Sequence, residues 1–193
     1  MFSRNWIWGG VFLRLVSEYY KIIVGLDISE KNIEFSKNEF SIEKIKNIEF
    51  IKYNLMDSYS LVEEYEVIAL IHGLEHFSND DYPIIFKNIR KMLKQGGYFI
   101  GALPYELPMT YRICPNCYFK HEIDGHLTKH NLESLSKLAA INNFEIIHLN
   151  KFSKYYTEYS KGKLVYFLKK IYSIINKKYD AHNQIEFIFK LKD

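Results

Sequence analysis

From Ile22 to Leu26 the chain is apolar without alternation, and the run ends at Asp27, with Ser29 two residues on. A continuous β-branched run is the pattern of a strand buried on both faces, as in a parallel sheet. Ser29 suits a helix N-cap, and the segment after it turns Ile33 and Phe40 to one face. Upstream, Phe12, Leu15, Val16 and Tyr19 recur at helical spacing and predict a helix over 11–20. Downstream, Ile48–Tyr53 predicts a strand running to Asn54-Leu55-Met56-Asp57, and Glu66–Gly73 predicts a second fully buried strand. The next helix has Pro83 in its first turn, directs Ile85, Ile89 and Met92 inward, and is predicted to stop at Gly96-Gly97. A strand over Tyr98–Leu103 follows and is ended by Pro104.

From Pro104 to His130 the periodicity disappears, and prolines, cysteines and histidines take over. This stretch is too long for a simple connection and reads as a functional insertion at about 104–130. Asn131 then caps a helix with Leu132, Leu135 and Leu138, and Phe144–Leu149 reads as a strand. Residues 164–179 form an amphipathic basic helix with Leu164, Phe167, Leu168, Ile171, Ile174 and Ile175 on one stripe, and Ile185–Leu191 closes as a strand. Strands alternating with helices predict an α/β fold, with a mostly parallel sheet and helices on both faces. No repeat or second domain is visible, so residues 1–193 read as one domain.

Composition narrows this only slightly. The chain has 193 residues, 48% of them hydrophobic and 25% charged, with a net charge of +3, which leaves ample length for a core. No basic block stands apart from its acids, so no nucleic-acid partner is expected. The heavy use of Lys, Asn, Ile and Tyr reflects base composition in the gene more than function. No signal peptide or bilayer-length apolar run is seen, and the expected location is cytoplasmic. The two cysteines both lie in Cys114-Pro-Asn-Cys117, the pattern of a metal or redox pair rather than of a secreted disulfide framework.

An acid at the carboxyl tip of a doubly wound strand sits where ribose hydroxyls can be held, which makes Asp27 the first candidate. Around it, Val24-Gly25-Leu26-Asp27-Ile28-Ser29, Tyr53-Asn54-Leu55-Met56-Asp57 and His72-Gly73-Leu74-Glu75-His76-Phe77 occur in order, followed by Lys91-Met92-Leu93-Lys94-Gln95-Gly96-Gly97-Tyr98-Phe99-Ile100. In this order and spacing the chain resembles a class I S-adenosylmethionine-dependent methyltransferase, of the group that includes ubiquinone-biosynthesis O-methyltransferases. The resemblance spans about Gly9 to Leu149 and implies a Rossmann-like doubly wound sheet whose last hairpin is reversed. It implies S-adenosylmethionine as cofactor and a small-molecule methyl acceptor, with oxygen the expected nucleophile. It places Asp27 on the ribose, Asn54 and Leu55 at the adenine, and His72 at the methionine portion, with Ile28 also among the cofactor-binding residues. Asn54 stands where the family usually has Asp, and its amide oxygen still accepts a hydrogen bond. Asn54 also suits a plain turn, and His72 an ordinary strand end.

The glycine-rich turn that such a fold needs after its first strand is damaged. By register it should end near Gly9 and Gly10, but the chain reads Arg4-Asn5-Trp6-Ile7-Trp8-Gly9-Gly10, and no strand precedes it. The first strand is therefore expected to be missing or degenerate. Asn5-Trp6-Ile7-Trp8-Gly9 must be encoded AAY TGG ATH TGG GGN. Shifted by one base, these letters spell Ile or Thr, then Gly, then Phe, Ser or Tyr, then Gly, after a codon whose options include Glu. With one base restored in the guanine-rich run, the product can read Glu-Ile-Gly-Phe-Gly-Gly-Gly-Val-Phe-Leu. An out-of-frame start before Gly9 is the expectation, and a divergent N-terminus plugged by two indoles is the alternative.

Glu75 and His76 admit three roles. They are candidates for acid–base work on an acceptor hydroxyl, since an imidazole titrates near neutrality. In some related O-methyltransferases the matching positions bind a divalent ion, for which His72 would be a third ligand here. They also suit a structural cap before the next helix. In the insertion, Cys114, Cys117, His121 and His126 are a candidate tetrahedral zinc set, with His130 in competition. A loop after the fifth strand would cover the cleft and select the acceptor. The basic helix 164–179 either lies on a membrane or, as such stripes usually do, packs on the sheet. Against the enzyme reading stands a non-catalytic methyltransferase-like remnant whose zinc-stabilised loop is an interaction module.

Overall fold

The computed structural model describes residues 11–57, 65–152 and 183–192. The chain divides into two compact units, Met1–Ser58 and Tyr59–Asp193. Residues 1–10, which carry the expected glycine-rich turn with Gly9 and Gly10, and the basic helix 164–179 lie outside the described residues.

The first unit runs α1 (Val11–Val16), β1 (Ile23–Asp27), α2 (Glu30–Ile42) and β2 (Ile48–Lys52). β1 and β2 pair in parallel, from Ile23 opposite Ile48 to Asp27 opposite Lys52. Ser29 caps α2 as its residue type predicts, its hydroxyl accepting from the Asn32 backbone N–H. The core is Ile33, Phe40 and Phe50, with Leu13, Ile45 and Ile48 against it. Burying each such side chain contributes roughly 1.5–3 kcal/mol. Gly25 is dictated by that packing, because a Cβ there would lie 2.8 Å from the Phe50 ring.

The second unit runs β3 (Tyr65–Ile71), a 3₁₀ turn (Leu74–His76), α3 (Tyr82–Met92), β4 (Leu93–Pro104), β5 (Tyr111–Ile113), β6 (Lys120–Glu122), α4 (Leu132–Ile141), β7 (Phe144–Phe152) and β8 (Gln184–Leu191). Its main sheet has the order β3-β4-β8-β7. β3 and β4 are parallel, and β8 is antiparallel to both β4 and β7. Three strands thus run one way and the last-entered strand the other, the reversed final hairpin that the sequence predicts. The fold is mixed α/β, its strands mostly parallel in direction. Five phenylalanines form the core: Phe86, Phe99, Phe144, Phe187 and Phe189 are all at most 2% exposed. Phe99 meets Phe86 edge-on at 5.8 Å and Phe187 at 5.1 Å between ring centroids.

Several boundaries differ from the pattern reading: α1 ends at Val16 rather than at Tyr20, and β7 runs past Leu149 to Phe152. α3 ends at Met92 rather than at Gly96-Gly97. Leu93, 5% exposed, already pairs with Tyr65, and the ladder resumes with Tyr98 opposite Val67. The glycines lie in the irregular stretch between those pairs, where Gly96 has φ +70°, so they bend a strand instead of stopping a helix. The insertion is also not structureless: β5 and β6 pair antiparallel, Tyr111 opposite Glu122 and Ile113 opposite Lys120. Its base is closed where Tyr105 bridges His130 and the Glu106 N–H donates to the His130 carbonyl.

Candidate active site

In the first unit the candidate residues gather at the carboxyl ends of β1 and β2. Asp27 is the last residue of β1 and is 2% exposed. Its Oδ1 accepts the Ser29 N–H at 2.7 Å, and its Oδ2 accepts the Asn32 side-chain amide at 3.1 Å. The carboxylate is held by the first turn of α2, where negative charge is favoured. Each oxygen accepts one donor and has capacity for a second. That acceptor set fits a ribose diol, which brings two hydroxyl donors to one carboxylate. Ile28 beside it is exposed. The Tyr53 N–H donates to the Asp27 carbonyl at 2.9 Å, so the chain leaves β2 alongside this tip and delivers Asn54 and Leu55 next to it. The Asn54 amide is engaged locally: its oxygen accepts the Met56 N–H and its nitrogen donates to Asp57. Asn54 therefore shapes the turn that presents half-buried Leu55.

In the second unit the carboxyl end of β3 carries His72, Glu75 and His76. His72 has φ +52°, a conformation costly for a residue with a Cβ, and its N–H donates to the Ala102 carbonyl at 2.7 Å. This bend throws the chain off the strand into the 3₁₀ turn. Glu75 is 3% exposed, and among the described residues neither carboxylate oxygen has a hydrogen-bond partner. The His72 Nδ1 stands 3.3 Å from Glu75 Oε1. The His76 Nδ1 lies 3.0 Å from the Gly125 carbonyl oxygen. A carbonyl only accepts, so this nitrogen carries a proton, and in the neutral imidazole the lone pair is then on Nε2.

The insertion does not assemble the expected zinc set. Cys114 is half-buried and Cys117 exposed, and both are free thiols. The backbone N–H groups of Cys117 and Asn116 hold the Cys114 thiol below its ordinary range. His121 sits on β6 opposite Arg112, and its side chain is exposed. His126 lies beyond the other end of the hairpin. Among the described residues the groups of possible metal ligands within 4.8 Å of one another are Glu75–His76–His126 and Glu122–Asp124–His126, and neither includes a cysteine. The physical reason is the hairpin itself. Three paired residues hold the Cys-x2-Cys turn about 10 Å from the point where the chain leaves β6. The zinc-stabilised interaction loop is accordingly not supported.

Residues 9–149 match a family model described as a methyltransferase domain. The chain belongs to that family. A stretch of 75 residues is 35% identical to the demethylmenaquinone methyltransferase of Lactococcus lactis subsp. lactis. That stretch is 39% of this chain and 29% of that relative, so less than a third of the relative's length is matched. An S-adenosylmethionine-dependent methyltransferase from Clostridium acetobutylicum superposes with a TM-score of 0.66 at 14% identity, covering 96% of this chain and 81% of that one. One from Mesorhizobium loti gives 0.64 at 13%, covering 94% and 86%. At such identities these likenesses establish the fold, a class I methyltransferase fold.

Within the methyltransferase domain, sequence reasoning missed the residues that tie the insertion to the Leu-Glu-His turn. The Leu127 and Thr128 N–H groups donate to the Glu75 carbonyl at 2.8 and 3.2 Å. The Tyr82 hydroxyl lies 2.6 Å from the Thr128 hydroxyl and 2.8 Å from His130 Nε2. Burial pushes the Tyr82 phenol up to about 12 and His130 down to about 4. Gly125, with φ +67°, a turn only glycine adopts freely, leads the chain into this segment. No helix among the described residues is long and apolar enough to cross a membrane.

Proposed function

We propose that this protein transfers a methyl group from S-adenosylmethionine to a small-molecule acceptor, with an oxygen as the nucleophile. The observation that carries this reading is Asp27, buried at a strand tip with hydrogen-bonding capacity left on both carboxylate oxygens. Asp27 would hold the ribose hydroxyls, Ile28 and Leu55 would supply apolar surface to the adenine, and Asn54 would keep Leu55 in place. His72 would face the methionine portion. Bound S-adenosylmethionine supplies an electrophilic methyl on a sulfonium, so the protein's main task is alignment. His76 presents Nε2 as the basic nitrogen, the tautomer needed to take a proton from an acceptor hydroxyl. Glu75 lies buried beside His72, its Oε1 3.3 Å from the His72 Nδ1.

Calorimetric titration of the full chain with S-adenosylmethionine tests this. Binding is expected at one site per chain and is expected to be lost in Asp27→Ala. Absence of binding to the unmodified chain would overturn the proposal. The acceptor screen begins with hydroxylated aromatics and includes demethylmenaquinone, after the name of the Lactococcus lactis relative.

A further inference from the structure

Methyl transfer leaves the Cys114-Pro-Asn-Cys117 turn without a role. The turn caps the β5–β6 hairpin, where the Cys114 N–H donates to the Phe119 carbonyl and the Cys114 carbonyl accepts the Tyr118 N–H, both at 2.9 Å. A bond from residue i to i+4 winds the chain through one helix-like turn, which brings residues three apart onto one side. The two thiols meet there. The Cys114 sulfur accepts from the backbone N–H groups of Cys117 and Asn116 and lies within hydrogen-bonding reach of the Cys117 thiol. Among the described residues, no group of three possible metal ligands within 4.8 Å of one another includes either cysteine.

We infer that Cys114 and Cys117 form a thiol–disulfide exchange site, with Cys114 attacking, Cys117 resolving and a small anionic disulfide as the oxidant. The thiolate is the attacking species in such exchange, and N–H groups aimed at a sulfur stabilise its negative form. Those donors converge on Cys114, which assigns it the first step. Cys114 is half-buried and Cys117 exposed, so a small disulfide can reach the pair.

The charge of the hairpin points the same way. Side chains alternate between the two faces of a strand, and cross-strand partners share a face. The face of Cys114 therefore carries Arg112, with His121 opposite Arg112 and Phe119 opposite Cys114. Lys120 and Glu122 take the other face, paired with Ile113 and Tyr111. From Tyr111 to His121 the chain has two cations, Arg112 and Lys120, and no acid. A positive, partly exposed setting favours the thiolate and draws in a negatively charged disulfide.

The exchange balances in two steps. The Cys114 thiolate attacks one sulfur of the disulfide RS–SR, forming Cys114–S–SR and releasing RS⁻. Cys117 gives up its proton, attacks the Cys114 sulfur and releases the second RS⁻. The two thiol protons end on the two RS⁻ groups, so the small disulfide gains two electrons and the protein holds a Cys114–Cys117 disulfide. Excess small thiol drives the same steps backwards. The crosslink closes a turn that backbone hydrogen bonds already close, so the hairpin persists in both states. This chemistry goes beyond methyl transfer and does not rest on it.

The test incubates the full chain, reduced and freed of reductant, with glutathione disulfide, followed by mass spectrometry and thiol titration. Both thiols are expected to disappear with a mass loss of two hydrogens, and dithiothreitol is expected to restore them. Cys117→Ser is expected to stop at the mixed disulfide, with one glutathione held on Cys114. Cys114→Ser is expected to react about tenfold more slowly, or slower still, having lost the stabilised thiolate. Arg112→Glu is expected to slow the first step several-fold, and added salt to slow the unmodified chain. Circular dichroism checks that each variant keeps its fold. Unreacted thiols, equal rates for the two cysteine variants, glutathione left on the unmodified chain, or a disulfide joining two chains would each overturn the site. A rate indifferent to both Arg112→Glu and salt would overturn the preference for an anionic disulfide. Because S-adenosylmethionine is absent from every arm, failure of the methyl-transfer proposal shows separately.

Discussion

The imidazole Nδ1 of His76 donates to the carbonyl oxygen of Gly125 at 3.0 Å, joining a strand-tip turn to a loop 49 residues further along. That carbonyl is aimed by a glycine with φ +67°. Gly125→Ala costs about 1–2 kcal/mol at this φ or turns the carbonyl away. Methyl transfer to acceptors is expected to fall at least tenfold, while S-adenosylmethionine affinity changes less than about twofold, since a 1.4 kcal/mol change is a tenfold one. Steady-state kinetics beside calorimetry separates the two.

The Tyr82–His130 pair predicts the pH dependence of stability. His130 has a folded pKa of about 4 against an ordinary 6.5, because burial disfavours its charged form. Between those values the unfolded chain binds a proton that the folded chain refuses. Stability is therefore full above about 6.5 and falls as the pH drops toward 4, by about 3 kcal/mol at 1.36 kcal/mol per unit. Tyr82 acts at the other end. Its phenol, raised from 10.0 to about 12, makes stability fall as the pH climbs through that window. Urea midpoints at pH 7, 5.5 and 4.5 check the acid limb. His130→Gln is expected to flatten it.

Gly101 on β4 is expected to tolerate no side chain. A Cβ there would sit 2.4 Å from the Phe187 ring and 2.7 Å from the Leu70 carbonyl oxygen. Gly101→Ala should cost about 1–3 kcal/mol by overpacking. Adding Phe187→Leu should recover part of that loss, because the two positions are in contact. Thermal melts of the single and double variants read this out, and strict additivity would contradict it.

Asn131 holds the start of α4 through a reciprocal cap. Its side chain accepts the Ser134 N–H, and the Ser134 hydroxyl accepts the Asn131 N–H. Its amide nitrogen also donates to Glu106 at 2.8 Å. Asn131→Ala should destabilise by ~1 kcal/mol, and Asn131→Ser by less, since serine keeps the cap. Denaturant unfolding at neutral pH measures both.

Much of the architecture was legible because it is encoded locally. The apolar run before Asp27 and the cap at Ser29 each act within a few residues, so β1, the start of α2 and the candidate ribose acid could be read directly. The same holds for Pro83 at the opening of α3 and Asn131 at the opening of α4. The Gly96-Gly97 boundary was misread for the converse reason. A glycine pair ends a helix or bends a strand equally well, and the choice fell to Leu93, whose pairing with Tyr65 begins a strand before the glycines are reached.

The site divides along the same line. Residue order alone placed Asp27, His72, Glu75 and His76 at strand ends and named the family motifs. Only the tertiary structure decided the partners of His126. Its spacing from Cys114 and Cys117 suggested a local ligand set, but the β5–β6 hairpin separates those thiols from it. Hydrogen bonds from Leu127 and Thr128 to the Glu75 carbonyl carry it instead to a turn 50 residues earlier. A contact between residues so far apart leaves no period or spacing in the chain, because it exists only after the backbone groups at both ends have found each other.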